Sequence, residues 1–95
     1  MALVERAELL IKDGSEEAFA TVMAERGLPL LWGVKGAGEV RLGRGVENPR
    51  KFMLLITWAT MDAHVAFTTD PLFQDFRELI GPFTIGGGME HFNMT

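Results

Sequence analysis

The sequence predicts an α+β fold, an antiparallel sheet with its helices on one face, in the order β-α-β-β-α-β. Three observations carry the prediction. Apolar stretches of strand length and stripes of helical spacing alternate along the 95 residues in that order. Residues 52–58 are apolar on both faces, as a central strand covered on both sides would be. The length leaves room for one core, so one domain spanning residues 1–95 is expected.

The first strand is expected over residues 3–12, where Val4, Leu9, Leu10 and Ile11 run into an Asp13-Gly14 turn. Glu5, Arg6 and Glu8 break its alternation. Ser15 is a candidate N-cap, with Glu16 and Glu17 in the first turn, where the helix dipole favours negative charge. Ala18, Phe19, Val22 and Met23 form the apolar stripe of this helix, and Gly27 with Pro29 is expected to stop it. Residues 28–36 then read as a connection.

Residues 39–44 set Val40 and Leu42 against Glu39 and Arg41, the pattern of a half-buried strand. Asn48-Pro49 turns the chain into the two-sided strand 52–58. Thr60 can cap a short helix reaching Phe67. Asp70-Pro71 opens the next helix, with Asp as N-cap and Pro at the first helical position. Leu72, Phe73, Phe76, Leu79 and Ile80 are its stripe, and Gly81-Pro82 closes it. Residues 83–94 form the last strand, in which Gly86-Gly87-Gly88 predicts a bulge or bend.

This order is the split β-α-β, or ferredoxin-like, arrangement. Its helices cover one sheet face, which leaves the second apolar face of strand 52–58 without a lid. A second copy of the sheet is the simplest cover, so an isologous homodimer is expected.

Composition narrows the function classes. There is no Cys, which excludes disulfides, thiolate nucleophiles and zinc–thiolate sites. The net charge of −4 argues against a nucleic-acid backbone binder. No apolar run reaches the length of a membrane span, and the N-terminus lacks a secretory pattern, so a cytoplasmic location with no membrane partner is expected. The two histidines lie far apart in sequence, which gives no recognisable metal constellation. The Gly triplet neither follows a strand nor opens a helix, so it does not match a phosphate loop. No cofactor is expected.

Several spaced residues resemble a known family. A Glu47-Asn48-Pro49 turn, an apolar strand ending in Trp58 and a short helix carrying His64 are similar to the centre of the antibiotic biosynthesis monooxygenase domain. Asp70-Pro71-Leu72-Phe73-Gln74-Asp75-Phe76 resembles that family's following helix, and Met89-Glu90-His91-Phe92 its last strand. The resemblance implies a dimeric α+β barrel. It also implies oxidation of a phenolic or quinol compound with O₂ and no bound metal or flavin. The family's haem-degrading members carry an Asn in the first strand and a His ten residues after the Trp. Here the first strand has no Asn and that later position is Thr68, so the resemblance does not extend to them.

Candidate site residues each have a functional and a structural reading. Trp58 can wall a cavity and stack on a planar substrate, or cap the core. His64 can take a phenolic proton, or pack the helix. His91 and Asn93 share one face of the last strand and can form a polar cluster in a cavity, or sit at an edge or interface. Arg41 or Arg44 can hold a phenolate, or be solvated edge charges. Arg77 reads as an outer-face charge, and Met61, Phe67, Phe73 and Phe76 read as core.

The expected function is that of a cofactor-independent monooxygenase acting on a planar phenol, anthrone or quinol. His64, His91 and Trp58 are its catalytic candidates, and Trp58, Arg41 and Asn93 its substrate contacts. The alternative is a non-catalytic dimeric module that binds a small apolar ligand. A cavity holding an ionisable group fits the first, and one lined only by Leu, Met and Phe fits the second.

Overall fold

The computed structural model describes residues 2–95. Four strands form one antiparallel sheet: β1 (Ala2–Ile11), β2 (Ala37–Arg44), β3 (Lys51–Trp58) and β4 (Thr84–Met94). Their spatial order is β2-β3-β1-β4, so the two central strands come from opposite halves of the chain. This is the ferredoxin-like arrangement that the element order predicts. Helices α1 (Glu16–Val22), α2 (Leu28–Trp32), α3 (Met61–Thr68) and α4 (Pro71–Ile80) connect the strands.

Alternation along the strands decides which side chains enter the core. On β3, Phe52, Leu54, Ile56 and Trp58 are buried, while Met53, Leu55 and Thr57 on the other face are half-buried. Ile11, Phe19, Met23 and Leu31 join them with less than a tenth of their surface exposed. The rings of Phe19 and Phe52 meet edge to face at 4.9 Å, which fixes α1 over the start of β3.

Two helix starts follow the sequence closely. The Thr60 side chain accepts from the Ala63 N–H at 3.1 Å, and the Asp70 carboxylate accepts from the Leu72 N–H at 2.8 Å. Ser15 departs from its expected role. It makes no side-chain cap, and Glu16 instead reaches back to accept from the Gly14 N–H at 2.8 Å.

Gly27 and Pro29 do not stop the first helix. The helical path continues through a π turn, Met23–Gly27, into α2, with Pro29 in the first turn of that segment. Proline lacks an N–H, and its ring crowds the carbonyl four residues back. The wider turn, closed by the Leu28 N–H on the Met23 carbonyl, relieves that crowding. Gly27 lies on the packed side of this turn, where a Cβ would come 2.6 Å from Met23 Sδ and make that flexible side chain shift.

The irregularity of β4 falls just before the glycine run and not within it, since Gly88, Gly87 and Gly86 pair in register with Glu8, Leu9 and Leu10. Gly86 pairs with Leu10 and Thr84 with Ile11, which leaves a bulge between them. Gly87 lies so close to β1 that a Cβ would collide with the Glu8 carbonyl oxygen.

Candidate functional site

On β1, Leu3, Glu5, Ala7, Leu9 and Ile11 share one face of the strand, and Glu5 and Ile11 are buried. An acid at this parity points among apolar groups. Glu5 is only 7% exposed. The register sets Glu5 opposite Ile56 on β3 and opposite His91 on β4. Trp58 lies two residues beyond Ile56, within diagonal reach. The Thr60 cap sets the start of α3, whose fourth residue is His64. Its side chain lies over the same point of the sheet and is 6% exposed.

Four polar side chains therefore converge. The Trp58 indole N–H donates to Glu5 Oε1 at 2.8 Å. His64 Nδ1 stands 3.1 Å from the same oxygen, and His91 Nε2 stands 3.9 Å from it. The imidazoles meet edge to face with centroids 4.3 Å apart, and the Trp58 ring lies 5.3 Å from that of His64. The His64 Nδ1 contact lacks hydrogen-bond direction, and His91 Nε2 lies too far from the oxygen to form a hydrogen bond. Both nitrogens are buried without a hydrogen-bond partner among the described residues.

The cluster closes one end of a cleft between the sheet and helices α3 and α4. The cleft has a volume of about 610 Å³, which suits a small molecule. Glu5 and His64 contribute its buried ionisable groups, Glu8 and Arg77 also line it, and Leu54, Ile56, Phe67, Phe73 and Phe76 lie along its walls. Gly86, Gly87 and Gly88 border it where β4 carries no side chains. A smaller hollow of about 470 Å³ lies on the other side of the cluster, lined by His91, Asn93, Leu3, Thr60 and Met61.

The structure thus brings together Trp58, His64 and His91, and adds Glu5. Trp58 does not wall the cleft; its N–H is engaged by Glu5, so the indole holds the carboxylate rather than facing a ligand. Asn93 is exposed and lines the smaller hollow, not the cleft. Arg41 stands apart on the edge strand, 73% exposed at its side chain and 3.7 Å from Glu39. Arg44 pairs with Glu17 at 2.7 Å and donates to the Pro49 carbonyl at 2.8 Å. Arg77 is exposed at the cleft rim, with its guanidinium 5.7 Å from the Phe73 ring.

Two further sequence expectations need correction. Met61 is 45% exposed and not core. The histidines, 27 positions apart (91 − 64), form with Glu5 a group whose ligand atoms lie within 4.8 Å of one another, so distance in sequence did not preclude a metal-ligating arrangement. The signal for Glu5 was its parity. It shares a face with Leu3, Leu9 and Ile11, and an acid there must find partners.

The chain was compared with known proteins. The family described as antibiotic biosynthesis monooxygenase matches residues 2–79. The Bacillus subtilis (strain 168) protein YczJ, itself uncharacterised, is 31% identical over 90 residues, covering 93% of this chain and 94% of that one. A Bordetella bronchiseptica protein named for the same family has a crystal structure that superimposes with a TM-score of 0.90 at 30% identity, over 99% of this chain and 97% of that one. SnoaB, a cofactor-independent oxygenase from Streptomyces nogalater, shares the fold with a TM-score of 0.82 at 15% identity, over 98% and 92% of the two chains. On these grounds the chain belongs to the antibiotic biosynthesis monooxygenase family.

Proposed function

We propose that the protein is a cofactor-independent monooxygenase that oxidises a planar phenol, anthrone or quinol with O₂. The observation that carries this reading is the pairing of His64 with Glu5, 3.1 Å apart and buried at the end of an apolar cleft. A base in an apolar cavity can remove a substrate proton and leave an electron-rich anion shielded from water. That anion can itself reduce O₂. For an anthrone, the methylene loses two hydrogens and gains one oxygen atom as a carbonyl. The other oxygen atom leaves as water, so no external reductant is needed. The protein's part is to accept the first proton at His64, with Glu5 stabilising the imidazolium that forms.

Trp58 is a positioning residue in this scheme, because its N–H orients Glu5. The rings of Phe67, Phe73 and Phe76 supply the flat apolar walls. Cofactor-independent chemistry is also the description carried by SnoaB, which shares the fold. The presence of Glu5 and His64 in the cleft favours turnover over the binding-module alternative, whose cavity would hold no ionisable group.

The working unit of this proposal is a homodimer. Val4, Leu10, Met53 and Leu55 are only half-buried on the sheet face away from the helices, beside the exposed Phe92 and Met94. A second copy facing this surface would cover them. Oxygen uptake on a panel of anthrones, quinols and phenols, with chelator present, tests the function. Uptake with at least one class is expected, and uptake abolished by chelator would overturn the cofactor-free reading.

A further inference from the structure

We propose that Glu5, His64 and His91 form a binding site for one divalent transition-metal ion per chain. The inference concerns the same cluster but does not rest on the oxidation proposed for it. The three side chains come from β1, α3 and β4 and converge on one point. Direct opposition of Glu5 and His91 in the sheet register fixes two of them on rigid elements.

The spacing is that of a nearly assembled coordination sphere. First-row ions bind imidazole nitrogen and carboxylate oxygen at about 2.0–2.2 Å, which places neighbouring ligand atoms roughly 3–3.5 Å apart. His64 Nδ1 already stands 3.1 Å from Glu5 Oε1. His91 Nε2, at 3.9 Å, needs an inward shift of less than about 1 Å to reach the same range. All three ligand atoms lie within 4.8 Å of one another.

A second, independent observation points to a ligand. His64 Nδ1 and His91 Nε2 are buried polar atoms without a hydrogen-bond partner among the described residues. Buried nitrogens of this kind are rare, and an unseen ligand is one of the few explanations. His64 has side-chain exposure of only 8%, so bulk water does not supply the missing partner. The outer support is also in place, because the Trp58 N–H holds Glu5 Oε1 and orients the carboxylate.

The donor set selects the class of ion. Two imidazoles and one carboxylate suit zinc, ferrous iron, cobalt or nickel, whereas calcium and magnesium prefer oxygen ligands throughout. Three protein ligands leave coordination positions open for water or a substrate oxygen. An ion on His64 would occupy the nitrogen lone pair that faces Glu5, so metal and the pairing used in base catalysis are mutually exclusive at that atom.

The experiment is calorimetric titration of the chelator-stripped protein with Zn²⁺, alongside the visible spectrum of the Co²⁺ form. One ion per chain is expected, with Co²⁺ bands of four- or five-coordinate intensity. Losing an outer partner of a metal ligand costs about 10–100-fold in affinity, so Trp58→Phe should weaken binding by that factor. His64→Ala and His91→Ala each remove a ligand and should weaken it by at least as much. His91 is the more exposed of the two histidines, so His91→Ala is the variant that keeps the test available if His64→Ala does not fold. Zn²⁺ binding that both alanine variants leave unchanged, or no saturable binding, would overturn the proposal. The titration needs no substrate. A failure of oxygen uptake therefore bears on the proposed oxidation alone, and a failure of Zn²⁺ binding bears on this site alone.

Discussion

The Trp58 indole N–H and Glu5 Oε1 are joined at 2.8 Å between residues 53 positions apart in sequence. The bond crosses the two central strands, and the antiparallel register makes it possible. Leu3 is opposite Trp58 and Glu5 is opposite Ile56, so the long indole reaches diagonally to the carboxylate. A buried carboxylate is tolerated only where donors replace water. The two imidazoles are close, but the His64 contact lacks hydrogen-bond direction and His91 Nε2 is too distant to bond. Trp58 is thus the side chain that satisfies Glu5 in a directional sense, which makes the family-like Trp at the end of β3 a support for the acid.

Trp58→Phe should destabilise the fold. The flat ring volume is largely kept, but Glu5 loses its N–H donor at a site only 9% exposed at the side chain. Leaving a buried acceptor unpaired costs about 1–3 kcal/mol. Urea unfolding of the variant should show that loss with an unchanged slope. Adding Glu5→Gln to it should recover part of the stability, because the charge is then gone. Equal midpoints for the wild type and Trp58→Phe would mean that water reaches Glu5 freely.

Much of the frame was legible because local rules acted without competition. Asp70-Pro71 and Thr60 each had a capping oxygen and no rival arrangement, and both helices begin there. Gly27 and Pro29 misled because tertiary packing outweighed local propensity. Leu31, buried to 2% exposure in α2, draws the chain onward through a π turn that accommodates the proline. The site was half legible. Trp58, His64 and His91 could be named from residue type, but their meeting depends on the β1–β4 register, which no local signal encodes. Glu5 was hidden by its neighbours. Arg6 and Glu8 blur the alternation that would otherwise have marked an acid on the buried face.

Gly87→Ala should cost more than Gly86→Ala, although both lie in the same glycine run. A Cβ at Gly87 would collide with the Glu8 backbone, which cannot rotate away as a side chain can. At Gly86 a Cβ would meet nothing within 4 Å. Backbone collisions of this kind cost about 1–3 kcal/mol, whereas an open site changes stability by less than about 1 kcal/mol. Thermal melts of the two variants compare them directly. Equal melting temperatures would show that β4 can move off β1 at this point.

Leu55→Asp should abolish self-association while leaving the chain folded. Leu55 lies at the middle of the helix-free face, half-buried in the single chain. The register sets it opposite Arg6 on β1 and Arg41 on β2. An aspartate in a lone chain can therefore face two guanidinium groups and water. In a face-to-face dimer it would be enclosed with its symmetry mate, and burying like charges together is strongly unfavourable. Sedimentation at micromolar concentration should give a dimer for the wild type and a species of about 10.5 kDa for the variant. A wild type that sediments as a monomer throughout that range would remove the facing-sheet arrangement.

His64→Ala and His91→Ala should differ in their effect on oxygen uptake in the presence of chelator. His64 borders the apolar cleft together with Glu5, whereas His91 borders the smaller hollow behind the cluster. A substrate in the cleft therefore meets His64 first. General-base catalysis contributes about 10²–10⁴-fold, so His64→Ala should lower the rate by at least about 10²-fold at neutral pH. Solvent hydroxide can replace the lost base, so the variant's rate should climb as the medium becomes alkaline. Added imidazole should restore part of it, because the alanine leaves a ring-sized gap beside Glu5. His91→Ala removes a neighbour that is 4.3 Å from the His64 ring without removing the base, so its rate should fall less and should not respond to imidazole. Full activity in His64→Ala, with rescue seen only for His91→Ala, would transfer the proton-accepting role to His91 and move substrate to the other side of the cluster.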